Sequence, residues 1–148
     1  MKFIVDSMLG KLAKRLRLLG QDTLYDAALD DHEIMKIARA EGRIIVTRDK
    51  GLSKIRGARS ALLISTSLQE QMKELSKLTG VHFASGTCFS RCPECNTNVE
   101  YVEKEKVKKI VPKLVFETMD KFSYCPTCKR AYWQGTHFDK LLKELKGV

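Results

Sequence analysis

Two apolar runs in this chain end on an aspartate: KFIVD, closed by Asp6, and RIIVTRD, closed by Asp49. A buried β-branched strand has no need of a carboxylate, so acids at those two places invite a chemical reading. In an open parallel sheet, ligands bind outside the carboxyl ends of the strands. A third acid, Asp31, stands where a helix should begin, which is the same edge of such a sheet. Like charges gathered there repel and raise one another's pKa values. A hard divalent cation, Mg²⁺ or Mn²⁺, resolves the conflict because it takes oxygen ligands. Held beside a phosphodiester, such a cation activates water and stabilises the leaving oxygen. A single Asp after a strand is ordinarily a turn or cap residue, and Asp31 is expected to cap its helix in any case. It is the joint pattern that points to a site. Asp30 is a weaker rival, expected just outside the cap.

A second constellation lies downstream. Cys92-Pro-Glu-Cys95 and Cys125-Pro-Thr-Cys128 are matching C-P-x-C turns separated by 29 residues, and the first 87 residues contain no cysteine. Two such turns supply the four thiolates of a tetrahedral zinc site. A four-cysteine site has no open position, so this zinc is expected to be structural. Cys88 is left over and reads as a free thiol.

Basic and aromatic residues fit a polyanionic partner. The segment after Asp6 carries Lys11, Lys14, Arg15 and Arg17 around a leucine stripe, and Arg48 adjoins Asp49. The bland reading is a solvated helix face, and for Arg48 a pairing with an acid. The functional reading is a path for a phosphate backbone toward the acids. Tyr132 and Trp133 offer faces on which bases could stack, or they cover the core of the zinc module. His137 is a candidate phosphate or RNA contact, or an anchor for the C-terminal segment. The net charge of +9, from 27 Lys+Arg against 18 Asp+Glu, suits nucleic acid or simple solubility.

These residues need elements to place them. A strand is expected over 2–5. Leu9, Leu12, Leu16 and Leu19 then repeat at helical spacing until Gly20. Further strands are expected at 23–25, 44–46 and 61–64. Helices are expected after Asp31, ending at Gly42, and after Ser67, where Ser67 and Glu70 have the spacing of a capping box. Strands alternating with helices imply βαβ units and a parallel sheet covered on both faces. The fold class is therefore α/β over 1–85. Residues 86–148 read as a small β module on zinc, with short strands across 99–116 and a terminal helix bearing Leu141, Leu142 and Leu145. No apolar run reaches the roughly 20 residues of a membrane span and no leader pattern is present. The expectation is a cytoplasmic protein with no membrane partner. Self-association is left open.

The same residues carry a resemblance. IVD at Asp6, DDHEIMKIA and RIIVTRD resemble PIN-domain nucleases. Together with RCPECN at 91–96 and CPTCKRAYWQGTH at 125–137, nearly the whole chain is similar to one subfamily. That subfamily is the RNase module named after the C-terminus of the Mut-seven exonuclease, a PIN-like domain followed by a zinc ribbon. The resemblance implies a ribonuclease acting on RNA, with Asp6, Asp31 and Asp49 as Mg²⁺ or Mn²⁺ ligands and Thr47 as a supporting hydroxyl. Many PIN nucleases have a fourth acid after the strand that is ALLIS here; this chain has Ser65, Thr66 and Ser67. The expected activity is metal-dependent endoribonuclease, with the zinc ribbon assisting RNA binding. The alternative is an RNA-binding or ribonucleoprotein assembly factor that cuts nothing. A phospho-acceptor signalling domain is disfavoured, because Asp6 is single and the zinc module arrives where a fifth strand would be expected.

Overall fold

The computed structural model describes residues 1–83, 85–135, 139–140 and 143. Four parallel strands form the first sheet: β1 (Lys2–Val5), β2 (Asp22–Leu24), β3 (Ile44–Thr47) and β4 (Ser60–Leu62). Their order is β2-β1-β3-β4. Helices α1 (Gly10–Leu18), α2 (Asp31–Glu41), α3 (Lys50–Lys54) and α4 (Leu68–Thr79) connect and follow them.

The period of two along each strand divides the apolar residues between the faces. Phe3, Val5, Ile44 and Val46 pack with Leu12, Leu16 and Leu19 of the α1 segment and with Met72 and Leu75 of α4. Ile4 and Ile45 turn the other way, onto Ile34, Met35 and Ala38 of α2 and Leu52 of α3. Burying a side chain of this size contributes about 1.5–3 kcal/mol. Both faces are covered, so β1 and β3 read as continuous apolar runs.

The second sheet is antiparallel, in the order β5 (Glu100–Val102), β6 (Phe122–Cys125), β7 (Arg130–Trp133). The strands expected across 99–116 are only partly found. After β5 the chain forms two short helices, α5 (Lys104–Val107) and α6 (Lys113–Thr118). Val107, Val111 and Val115 recur every fourth residue. The first two are buried with Val102 and Phe122, and Val115 packs against them. That helical spacing overrides the β preference of valine. Pro112, with its φ fixed near the helical value, stands at the start of α6.

Two smaller expectations are also corrected. Ser67 is the N-cap of α4, but its side chain accepts no hydrogen bond from the helix. Glu70 pairs instead with Lys73 at 3.0 Å, so no capping box forms. The five-residue α3 is too short for its sequence to show a helical apolar stripe. The expected terminal helix with Leu141, Leu142 and Leu145 lies outside the described residues.

The first C-P-x-C turn rests directly on the parallel sheet. Arg17, 4% exposed, donates to the carbonyls of Thr23 (2.8 Å), Pro93 (3.1 Å) and Glu94 (2.7 Å). Asn96 donates to Asp22 Oδ1 at 2.9 Å and accepts from Thr23 N at 3.0 Å. Gly20, at φ 80°, closes α1 so tightly against residue 87 that a Cβ would stand 2.3 Å from the Thr87 carbonyl oxygen. Arg17 therefore belongs to this joint and leaves the group of surface cations in which its sequence neighbours place it.

Candidate acidic site and metal centre

Strands β1 and β3 lie side by side, and the chain leaves them in opposite directions, to β2 on one flank and β4 on the other. The carboxyl ends of β1 and β3 thus flank the switch point of the sheet, where open α/β folds bind ligands. Asp6 stands there, 7% exposed, with its N–H still donating to the Val46 carbonyl at 3.0 Å. Its Oδ2 accepts from Thr47 Oγ1 at 2.8 Å and its Oδ1 from Ser7 Oγ at 3.2 Å. Thr47 is fully buried, and its oxygen also accepts from Asp49 N at 2.9 Å. One hydroxyl therefore holds Asp6 and the Asp49 backbone in a fixed relation.

Asp49 is the N-cap of α3: its Oδ1 accepts from Gly51 N and Leu52 N. Among the described residues its other oxygen accepts no hydrogen bond. The cap of α2 is Asp30, correcting the expectation for Asp31. Asp30 Oδ1 accepts from Glu33 N at 2.8 Å, and Glu33 Oε2 accepts from Asp30 N at 3.0 Å, a complete capping box. Asp31 is thereby the first helical residue, exposed, with its carboxylate uncommitted to capping. Its pKa is raised by partial desolvation and then by the charges of Asp49, Asp6 and Asp30. The acids singled out in the sequence are thus electrostatic neighbours at one edge. They are more open than a cage: among the described residues, the one set of three or more potential ligands that converges is the four cysteines.

A fourth acid reaches this edge from α4, where the sequence pattern gives no signal for it. Glu74, in the second turn of α4, accepts from Ile64 N (2.9 Å), Ser65 N (3.3 Å) and Ser65 Oγ (2.7 Å). The Ser65 hydroxyl, and further along the backbone donors and the Arg48 charge, hold its pKa below the usual value against partial desolvation. Both its oxygens are occupied in fixing the chain after β4. Arg48, half-buried, has its Nε out of contact with solvent and without a hydrogen-bond partner.

The four cysteines converge as a set that could hold a metal ion. The sulfurs of Cys92, Cys95, Cys125 and Cys128 all lie within 4.8 Å of one another, with Cys95 and Cys125 3.5 Å apart. Tetrahedral zinc with bonds of about 2.3 Å places its sulfurs about 3.8 Å apart. Cys92 and Cys125 are fully buried. Tyr132 Oη lies 3.0 Å from Cys92 Sγ, so this aromatic serves the thiol cluster. Trp133 packs on Phe122 with ring centroids 6.5 Å apart and covers the ribbon core. Of the remaining cations, Lys11 is exposed, Arg15 is half-buried, and Lys14 is paired with Glu94 of the first knuckle at 2.9 Å. Cys88 is half-buried against the first core. His137 lies outside the described residues.

Residues 1–145 match the family model described as the Mut7-C RNAse domain. Over 101 residues the chain is 38% identical to the human protein named Exonuclease mut-7 homolog, a stretch covering 64% of this chain and 12% of that protein. The match therefore spans only a small part of that relative's length. No solved structure matches the chain.

Proposed function

Since the chain belongs to the Mut7-C RNAse domain family, we propose that it is a metal-dependent endoribonuclease whose site is the edge bearing Asp6, Asp31 and Asp49. The observation that carries this reading is the Thr47 hydroxyl, which ties Asp6 at the end of β1 to the Asp49 backbone after β3 at the carboxyl edge of the sheet. Carboxylates gathered at one edge make poor scaffolding and good ligands for Mg²⁺ or Mn²⁺. When bound, such a cation supplies Lewis acidity toward a phosphodiester oxygen and lowers the pKa of water. Asp6, fixed by Thr47 and Ser7, is the best-oriented ligand. Asp49 offers its uncapped oxygen, and Asp31 closes the set from α2. Arg48 adjoins Asp49 in the chain, and its guanidinium is the cation of this edge that would face a phosphate there. The four cysteines hold structural zinc, and the ribbon extends the RNA-binding surface.

The second reading, an RNA binder without cleavage, is favoured by one observation. The position that would hold a fourth acidic ligand is occupied by Ser65 and neighbours, and Glu74 is spent on that loop. A circular RNA separates the readings and also separates endonuclease from exonuclease action. Zinc-loaded protein with Mn²⁺ should linearise the circle, and Asp6→Asn should not. An intact circle that is nevertheless retained by the protein would establish the binder. Cutting only of linear RNA would establish an exonuclease.

A further inference from the structure

The end of the sheet opposite the acids carries a pocket of about 350 Å³, where β1, β3 and β4 begin. Lys2, Arg39, Arg43 and Arg59 line it, and among the described residues no acidic one does. They come from four segments: the start of β1, the last turn of α2, the turn before β3 and the approach to β4. Arg43 is buried and neutralised by Asp22 (2.8 Å) and Glu41 (2.7 Å). The other three are exposed, and among the described residues none of them pairs with a carboxylate. Arg39 Nη2 donates to the Arg56 carbonyl. Gly57, at φ 104°, leaves room for that guanidinium, since a Cβ there would stand 2.7 Å from Arg39 Nε.

Unpaired cations around one concavity repel, and an anion removes that cost. The carbonyl end of α2 offsets only about half an elementary charge, which does not account for three side chains from three segments. A diester carries a single negative charge, whereas a phosphate monoester carries about −1.5 to −2 at neutral pH. The volume is at the small end of ligand pockets, about 300–1,000 Å³. We propose that this pocket binds a phosphate monoester, carried either by a free mononucleotide or by the 5′ end of an RNA. A four-residue strand separates it from the acids by about 13 Å, so the site is distinct from the proposed cleavage edge and does not rest on cleavage.

The test is calorimetric titration of the zinc-loaded full chain, without added Mg²⁺ or Mn²⁺. The probes are 5′-AMP, adenosine, and an eight-nucleotide RNA with and without a 5′-phosphate. Lys2→Gln/Arg59→Gln is the variant, because both side chains are exposed and neither supports the core. A terminal phosphate should strengthen binding at least tenfold in the wild type, and the double variant should lose that advantage. An advantage seen with both AMP and RNA identifies a mononucleotide site; one seen with RNA alone identifies an RNA 5′ end. No phosphate advantage, or one that survives in the double variant, overturns the inference. Asp6→Asn cleavage decides the other reading separately.

Discussion

Thr47 is the residue on which the acidic edge turns. Its hydroxyl donates to Asp6 and accepts from the Asp49 N–H, and no solvent reaches it to substitute. Thr47→Val keeps the shape and removes both bonds. The half-buried Asp49 N–H loses its partner, which should cost about 0.5–1.5 kcal/mol in a thermal melt. Cleavage should fall about 10- to 100-fold, as when an outer-shell partner of a metal ligand is lost. Full cleavage with the expected loss of stability would leave Thr47 structural only. Asp31 makes a prediction of opposite sign. Its folded-state pKa is raised above the ordinary 3.8, so the native state holds that proton more tightly than the unfolded chain. Stability therefore falls as pH rises from about the unfolded value through the folded one, and neutral pH carries the whole penalty. Without added Mg²⁺ or Mn²⁺, Asp31→Asn should melt higher than wild type at pH 7, and the two should converge below the ordinary carboxylate pKa. Asp31 is exposed, so screening keeps the gain under about 1 kcal/mol. A variant less stable than wild type at pH 7 would contradict the repulsion on which the site assignment stands.

At the scale of elements, the joint between the zinc knuckle and the parallel sheet makes the sharpest prediction. Arg17 of α1 binds Thr23 beside it and Pro93 and Glu94 more than seventy residues away. Arg17→Met should lose about 1.5–3 kcal/mol for the charged bonds. Removing zinc should then speed amide exchange in β2, at Asp22–Leu24, as well as in β5, β6 and β7. Exchange confined to the ribbon would show that the joint transmits nothing. This contact could not be read from the sequence, because Arg17 follows a leucine stripe as any solvated cation would. The convergence of the four cysteines could be read, because two short C-P-x-C turns bring each pair together locally. The strand-helix alternation was equally legible, each apolar run being bounded by a cap or a glycine. Val107, Val111 and Val115 misled because valine's β preference masked their spacing of four. Glu74 was missed because Glu70 sat at the expected capping offset while the carboxylate that mattered lay one turn further on. Asp30 and Asp31 were exchanged as cap and neighbour because either fits the pattern. Only the reciprocal bond with Glu33 tells them apart.

Over the whole molecule, charge is spread across both parts: residues 1–85 carry 15 basic and 10 acidic side chains, and residues 86–148 carry 12 and 8. No helix among the described residues is long and apolar enough to cross a membrane, and the excess positive charge suits a polyanion in water. Which cations are free to meet a polyanion is decided by what the fold leaves uncompensated. Lys14 is already paired with Glu94, which Arg130 also approaches at 3.9 Å. Lys11 is exposed on the same helix, and Arg48 carries a buried Nε without a partner next to the acids. If a single-stranded RNA runs over that edge, each phosphate neutralised contributes about 0.7 to the slope of log affinity against log salt. Lys11→Gln/Arg48→Gln should flatten the slope by about 1.4, whereas Lys14→Gln should barely change it. Trp133→Ala should act through the ribbon instead. It removes the cover from Phe122, so melting and zinc retention should suffer before the slope does. The measurement is a salt titration of affinity on an Asp6→Asn background, where RNA stays intact. An unchanged slope in the Lys11/Arg48 variant would take the RNA path off this edge. Lys14→Gln flattening it by as much would show that the Glu94 pair opens when RNA arrives, which links RNA binding to the zinc knuckle.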